Sequence, residues 1–127
     1  GEDTLSLHDA LPISSQPGAS KPDAVLLRDF AEGFLADLWP GGRQPEVFYD
    51  PRALQPWEGP RASLHAKCVV VDEERLLLTS ANFTQAAQVR NIEAGLLLHN
   101  PFVACSLREQ FESLVQEGAL MRLPGVG

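Results

Sequence analysis

The sequence lacks a long apolar run and is poor in cysteine and in basic side chains. No stretch approaches the roughly 18 apolar residues of a transmembrane helix, which excludes a membrane span of ordinary length. Two cysteines, Cys68 and Cys105, are too few for a disulfide scaffold and favour a reduced, cytoplasmic protein. Ten Lys and Arg residues against 17 Asp and Glu residues give a net charge of −7, which opposes non-specific binding to nucleic acid or to an anionic membrane. Any phosphate chemistry would therefore depend on a local site.

The rest of the composition is typical of one globular domain. Of the 127 residues, 44% are hydrophobic and 21% are charged, and these fractions exclude a disordered tail and a fibrous protein. A chain of this length buries most of the surface that it exposes when unfolded, and it leaves little room for a second full domain.

We expect the first residues to differ in origin from the rest. Residues 4–13 read Thr-Leu-Ser-Leu-His-Asp-Ala-Leu-Pro-Ile, which is similar to the translation of a common sequencing-library adapter. We therefore expect residues 1–14 to be non-native and not to pack on the domain. Their removal takes away three acidic residues and no basic ones, so the net charge rises from −7 to −4.

The remaining pattern predicts helices and strands in an α/β order. Residues 15–22 are rich in Ser, Pro and Gly and predict a flexible lead-in, and residues 23–39 have the apolar spacing of an amphipathic helix. Five strands are predicted at residues 46–49, 64–71, 75–79, 92–99 and 119–123. An irregular loop is expected at 50–60, a loop or short helical turn at 82–90, and a second helix from the Asn100 cap to Gly118. This order, without an internal repeat, indicates a layered α/β fold.

Polar side chains that could take part in catalysis are concentrated after residue 64. His65 and Lys67 are two residues apart on a predicted strand, so both side chains lie on one face and could meet one anion. Asp72 has the opposite parity and begins a turn, where it is better placed to brace the structure than to contact a substrate. His99 has no Cys, Asp or Glu at ligand spacing, and a structural role is its expected one.

The predicted hairpin extends this cluster. If the turn pairs Asp72 with Arg75, then Lys67 faces Ser80. In the same register, His65 faces Asn82. Imidazole, ammonium, hydroxyl and amide would then meet, which are the groups that a phosphoryl group with developing negative charge requires.

These residues resemble a known family. The spacing His65-x-Lys67-x4-Asp72 resembles the HKD motif of the phospholipase D superfamily, and Ser80, Asn82 and Glu93 stand where that family carries its Ser/Asn pair and glutamate. The longer strings at 63–72, 79–84 and 90–93 most resemble the phospholipase-D-like component of the bacterial DISARM antiphage system, and those at 49–52 and 118–124 look similar too. The resemblance begins near residue 23 and lacks the family's N-terminal α/β unit. It implies the C-terminal part of an N-terminally truncated α-β-α sandwich domain, which we expect to be poorly stable and inactive as a 127-residue piece.

The resemblance also implies a role for each matching residue. His65 would attack phosphorus to form a phosphohistidine, and the histidine of a second HKD motif would protonate the leaving oxygen. Lys67 and Asn82 would hold the non-bridging oxygens with support from Ser80, and Glu93 would accept a hydrogen bond from the imidazole and orient it. No metal and no cofactor are implied.

The expected partners follow from the same resemblance. The substrate would be a phosphodiester, either nucleic acid or phospholipid, and the second HKD motif would come from homodimerisation. Other proteins of a defence system are possible partners. The alternative is a catalytically silent module that binds phosphate or nucleic acid, or a scaffold in a defence complex. Arg61, Arg75 and Arg90 could contact a polyanion or be ordinary surface residues, and Trp57 could line a cleft or cover the core.

Overall fold

The computed structural model describes residues 21–55 and 64–127, and its helices and strands confirm the predicted α/β class. The helices are α1 (Asp23–Gly33), a π-helical turn (Phe34–Leu38), a 3-10 turn (Pro51–Leu54), α2 (Gln85–Val89) and α3 (Pro101–Gln116). The strands are β1 (Phe48–Tyr49), β2 (Cys68–Val71), β3 (Arg75–Thr79), β4 (Gly95–His99) and β5 (Met121–Arg122). The adapter-like segment, most of the lead-in, Trp57 and Arg61 lie outside the described residues.

The first core forms around the N-terminal helix. Ala31 and Phe34 lie three residues apart on the inward face of α1 and the turn that follows it, and both are buried. The Trp39 backbone N–H donates to the Phe34 carbonyl at 2.9 Å, a π-type bond across five residues, and the two rings stack with centroids 6.3 Å apart. The helix that was predicted to run to residue 39 therefore ends in a wider turn that places Trp39 against the core.

The end of the chain closes this core. β5 pairs with β1 in antiparallel register, Tyr49 with Met121, and the Leu123 N–H donates to the Val47 carbonyl at 2.7 Å. Leu123 and Val126 are almost fully buried beside the first helix. Segments from opposite ends of the described chain thus form one hydrophobic cluster.

A buried carboxylate organises the turn after β1. Asp50 is 6% exposed, and its Oδ1 accepts from the Arg52 backbone N–H at 2.9 Å and caps the 3-10 turn. The Arg52 guanidinium adds bonds to both carboxylate oxygens, the shortest of 2.7 Å. These hydrogen bonds lower the pKa of Asp50 from its ordinary value of 3.8, against the opposing effect of burial.

Asp50 makes stability depend on pH in the acid range. Its lowered pKa means that the folded state favours the carboxylate, so the stabilisation is present above pH 3.8 and is lost as the pH falls through the lower folded value. We expect Asp50→Ala to lower the free energy of unfolding by about 1 kcal/mol at neutral pH, through loss of the cap, and to flatten its decline in acid. Urea titrations over a pH series measure both effects. Asp29→Ala is the control, since Asp29 pairs with Lys21 at the surface. Equal acid slopes for wild type and Asp50→Ala would contradict the prediction.

The second layer is the antiparallel sheet β2-β3-β4 with α3 packed against β2 and β3. Asn100 caps α3, since its Oδ1 accepts from the Val103 N–H at 3.3 Å, and Pro101 occupies the first turn as predicted. Gly118 follows the helix with φ +78°, the left-handed conformation that a glycine adopts without strain. Ala104 on α3 and Leu76 on β3 are fully buried.

The predicted register of the β2-β3 hairpin is wrong by one residue. Val71 pairs with Arg75, so the loop has three residues, and Asp72 does not pair with Arg75. Asp72 and Glu73 have φ values of 51° and 55°, and the Glu74 N–H donates to the Val71 carbonyl at 3.0 Å. Two successive left-handed residues form the tight turn, which lengthens the connection by one residue and shifts every pair along the hairpin.

The turn is fastened to α3. Arg108 forms an ion pair with Glu73 and a second one with Glu112 at 3.4 Å. The Cys105 thiol lies 3.5 Å from the Glu73 carbonyl oxygen. Glu73 thus connects the hairpin turn to α3, and the bracing role of Asp72 stays a prediction. In the described part of the chain, no helix has the length and apolarity needed to cross a membrane.

Candidate functional site

The first two motif residues meet at the start of β2. The Thr79 N–H donates to the Lys67 carbonyl at 3.0 Å, so the sheet continues one residue beyond β2 and Lys67 is opposite Thr79, not opposite Ser80 as predicted. The Lys67 Nζ donates to the His65 carbonyl at 3.0 Å. His65 itself is exposed. The ammonium group is thus held beside the main chain of the exposed histidine.

Ser80 and Glu93 meet across the ends of β3 and β4. The Ser80 N–H donates to the Ala94 carbonyl at 3.0 Å, which extends the β3-β4 pairing by one residue. The Ser80 hydroxyl donates to Glu93 Oε2 at 2.6 Å and accepts from the Ala94 N–H at 3.1 Å. The hydroxyl proton is directed to the carboxylate, so in this arrangement Ser80 positions Glu93.

The second oxygen of Glu93 also has a donor. Asn91 Nδ2 lies 3.2 Å from Glu93 Oε1. Among the described residues, the carboxylate accepts from Ser80 and Asn91, and no hydrogen bond joins it to the imidazole of His65. A carboxylate has about four lone-pair sites, so it retains capacity for a further donor. The orienting bond from His65 to Glu93 stays a prediction.

Asn82 lies just beyond Ser80 on the same segment. Its side chain is half-buried, and Oδ1 is buried without a hydrogen-bond partner in the described structure. Its backbone carbonyl accepts from the Thr84 N–H at 2.8 Å, and Thr84 in turn caps α2. The amide can turn about its last bond and present Nδ2 at the same place. A buried amide end without a protein partner is free to contact a ligand oxygen.

The comparison with protein families decides what this cluster belongs to. A family model described as cardiolipin synthase, PLD-like domain, matches residues 19–115. The chain belongs to the phospholipase-D-like family. A search of curated proteins found no match, and a search of solved structures found none either. The superfamily predicted from the HKD spacing is confirmed, and phospholipase-D-like domains bind phosphodiester substrates and often dimerise.

The phospholipase-D-like domain has an open groove of about 570 Å³ beside the cluster. Lys67, Thr79 and Ser80 contribute its polar rim, and the apolar lining includes Cys68, Leu78, Leu96 and Leu107. Burial raises the pKa of the Cys68 thiol, which keeps it protonated at neutral pH. Cys68 is therefore a poor nucleophile in this groove.

Asp72 lies at the far end of the phospholipase-D-like hairpin. The whole of β2 separates it from Lys67, and its side chain makes no hydrogen bond or ion pair to the described residues. The structure thus gathers Lys67 with His65, and Ser80 with Glu93, at one end of the sheet and leaves Asp72 at the other. In residues 21–55 and 64–127, no group of three His, Cys, Asp or Glu side chains is placed to hold a metal ion.

The sequence analysis missed Asn91. It stands two residues before Glu93, and that spacing brings its amide back to the glutamate in this loop. The available signal was an amide at a short, fixed distance in sequence from a candidate catalytic acid. Thr79 was also missed, because the predicted register placed Ser80 opposite Lys67 in its stead.

Proposed function

We propose that the protein is a phosphodiesterase that hydrolyses a phosphodiester of nucleic acid or phospholipid through a phosphohistidine. The observation that carries this proposal is the arrangement of all five polar residues at one end of the sheet, inside the segment that matches the family. They are His65, Lys67, Ser80, Asn82 and Glu93. An anion-binding module needs the cation and the amide, but it does not need a histidine and a fixed carboxylate at the family's spacing.

The proposed reaction has two steps. An imidazole nitrogen of His65 attacks phosphorus, the bond to the leaving oxygen breaks, and the histidine of a second HKD motif gives its proton to that oxygen. Water then attacks the phosphohistidine and gives a proton to the second histidine, and the phosphorus–nitrogen bond breaks. Lys67 and Asn82 stabilise the negative charge on the non-bridging oxygens, and Glu93 orients His65.

The second histidine is proposed to come from another copy of the chain. The 127 residues contain one HKD spacing, the reaction requires two histidines at one phosphorus, and the DISARM resemblance favours two single-motif chains over two motifs in one polypeptide. A two-fold axis would bring the His65 residues of two subunits together, since a symmetric interface places identical residues opposite each other.

The biological role is proposed from the longer sequence resemblance. The strings around the HKD spacing and around Glu93 resemble the DISARM component, which supports a role in bacterial defence against phage and partners among other defence proteins. The alternative is a module that grips phosphate without turnover. One observation favours this alternative: the hydrogen bonds of Glu93 go to Ser80 and Asn91 in the described structure, and not to His65.

A substrate panel tests the proposed function. The natural protein that contains this chain is incubated with labelled DNA, labelled RNA, phospholipid vesicles and a chromogenic phosphodiester, with and without excess EDTA. We expect turnover of at least one substrate to persist in EDTA, because the proposed steps use side chains alone. Loss of turnover in EDTA with rescue by magnesium would contradict the mechanism. Binding without turnover on the whole panel would favour the phosphate-binding module.

A further inference from the structure

We propose that Asn91 is a positioning residue that holds the carboxylate of Glu93 in the orientation needed by His65. The inference rests on the proposed function, because it assigns a role within that site. Nothing in the HKD spacing includes Asn91, and its assignment comes from the contact between its amide and Glu93 Oε1.

Glu93 is held from two separate parts of the fold. Ser80 binds Oε2 from the end of β3, and its own N–H and hydroxyl form hydrogen bonds with the carbonyl and N–H of Ala94. Asn91 binds Oε1 from the loop that follows α2. One donor comes from the regular sheet and the other from an irregular segment, so the carboxylate connects the two.

Two donors, one on each oxygen, restrict the orientation of the carboxylate more strongly than a single donor does. With Ser80 alone, coupled rotations about the side-chain bonds of Glu93 can still tilt the carboxylate plane while Oε2 stays near the hydroxyl, because the terminal rotation is soft. A donor on Oε1 fixes the plane of the group and therefore the direction of the remaining lone pairs. The lone pairs that remain for the imidazole of His65 then have fixed directions, which is the requirement for orienting a nucleophile.

A purely structural role for Asn91 is the competing explanation. Asn91 and Glu93 are two residues apart, and a side-chain contact over that distance can simply stabilise a local turn. The two roles differ in what depends on Glu93. A positioning residue loses its effect on the reaction when Glu93 is replaced, whereas a turn-stabilising residue changes the melting temperature and acts on the reaction regardless of Glu93.

A double-mutant cycle in the natural protein separates the two roles. We expect Asn91→Ala to lower kcat about tenfold with KM changed less than about twofold, because substrate contacts are retained. In the Glu93→Gln background, the same substitution should lower kcat by less than about twofold. Asn91→Asp should lose at least as much as Asn91→Ala, since it places a second carboxylate beside Glu93. Gln88→Ala removes an exposed amide from α2 and is the matched control, expected to leave kcat and KM unchanged.

The outcomes distinguish this inference from the proposed function. Equal losses from Asn91→Ala in both backgrounds, or no loss in wild type, would overturn the positioning role while hydrolysis itself stands. If no substrate is hydrolysed, the proposed function fails, and the contact is then read from the side-chain amide NMR signals of Asn91. A shift of those signals on Glu93→Gln supports the contact, and unchanged signals overturn it.

Discussion

His65→Ala is expected to lower kcat/KM for phosphodiester hydrolysis by at least about 10³-fold, because it removes the atom that forms the bond to phosphorus. His65 is exposed and lies before the regular part of β2, so its loss should leave the thermal unfolding midpoint unchanged. Rate measurements and thermal melts on the same preparations test the two statements together.

The chain offers a matched control for this substitution. His99 is also an exposed histidine. It lies at the end of β4, and its Nε2 is 3.8 Å from Glu74 Oε2. His99→Ala should retain full activity. Full activity of His65→Ala, or an equal loss in both variants, would contradict the assignment of His65 as the nucleophile.

Mixing His65→Ala subunits with wild type should lower activity in proportion to the mixed dimers formed. A protein that sediments as a monomer and is fully active would contradict the homodimer.

Leu76→Ala is expected to lower the free energy of unfolding by about 3 kcal/mol. Leu76 is 1% exposed at the centre of the three-stranded sheet, in the layer that α3 covers. The substitution removes buried methyl groups and leaves a cavity that the paired strands cannot close, because their hydrogen bonds hold the backbone in place. Urea denaturation of the natural protein measures the loss.

Leu97→Ala is the control for the core substitution. Leu97 is 74% exposed on the adjacent strand β4, so its truncation creates no cavity and should lower the free energy of unfolding by less than about 0.5 kcal/mol. Similar losses in the two variants would show that burial in the sheet does not determine its stability, and would contradict the prediction.

The most local features of the fold followed from the sequence. The capped start of α3 depends on Asn100 and Pro101, and its end on Gly118, and each acts through its own backbone preference. Strand β3 has the predicted bounds because its run of apolar residues lies between a turn and polar residues. The family followed from the HKD spacing for the same reason, since residue types at fixed intervals are visible without any fold.

The leucines show where that reasoning stops. Leu76 is buried and Leu78 is 40% exposed, although both lie on the face of β3 that α3 partly covers. Periodicity gives the parity of a strand, but burial depends on where along the strand the helix crosses. The short strand β1 is a second case, because its partner β5 lies more than 70 residues away and only folding brings them together.

By itself, the sequence determined the α/β class, the family and the helix limits of α3. The tertiary structure alone decided how these residues meet. Two left-handed residues, Asp72 and Glu73, shifted the hairpin by one position and placed Thr79 opposite Lys67. The carboxylate of Glu93 received Ser80 and Asn91 as partners. The physical reason is that each register depends on a turn conformation and on packing between distant segments, and the spacing of residues along the chain encodes neither.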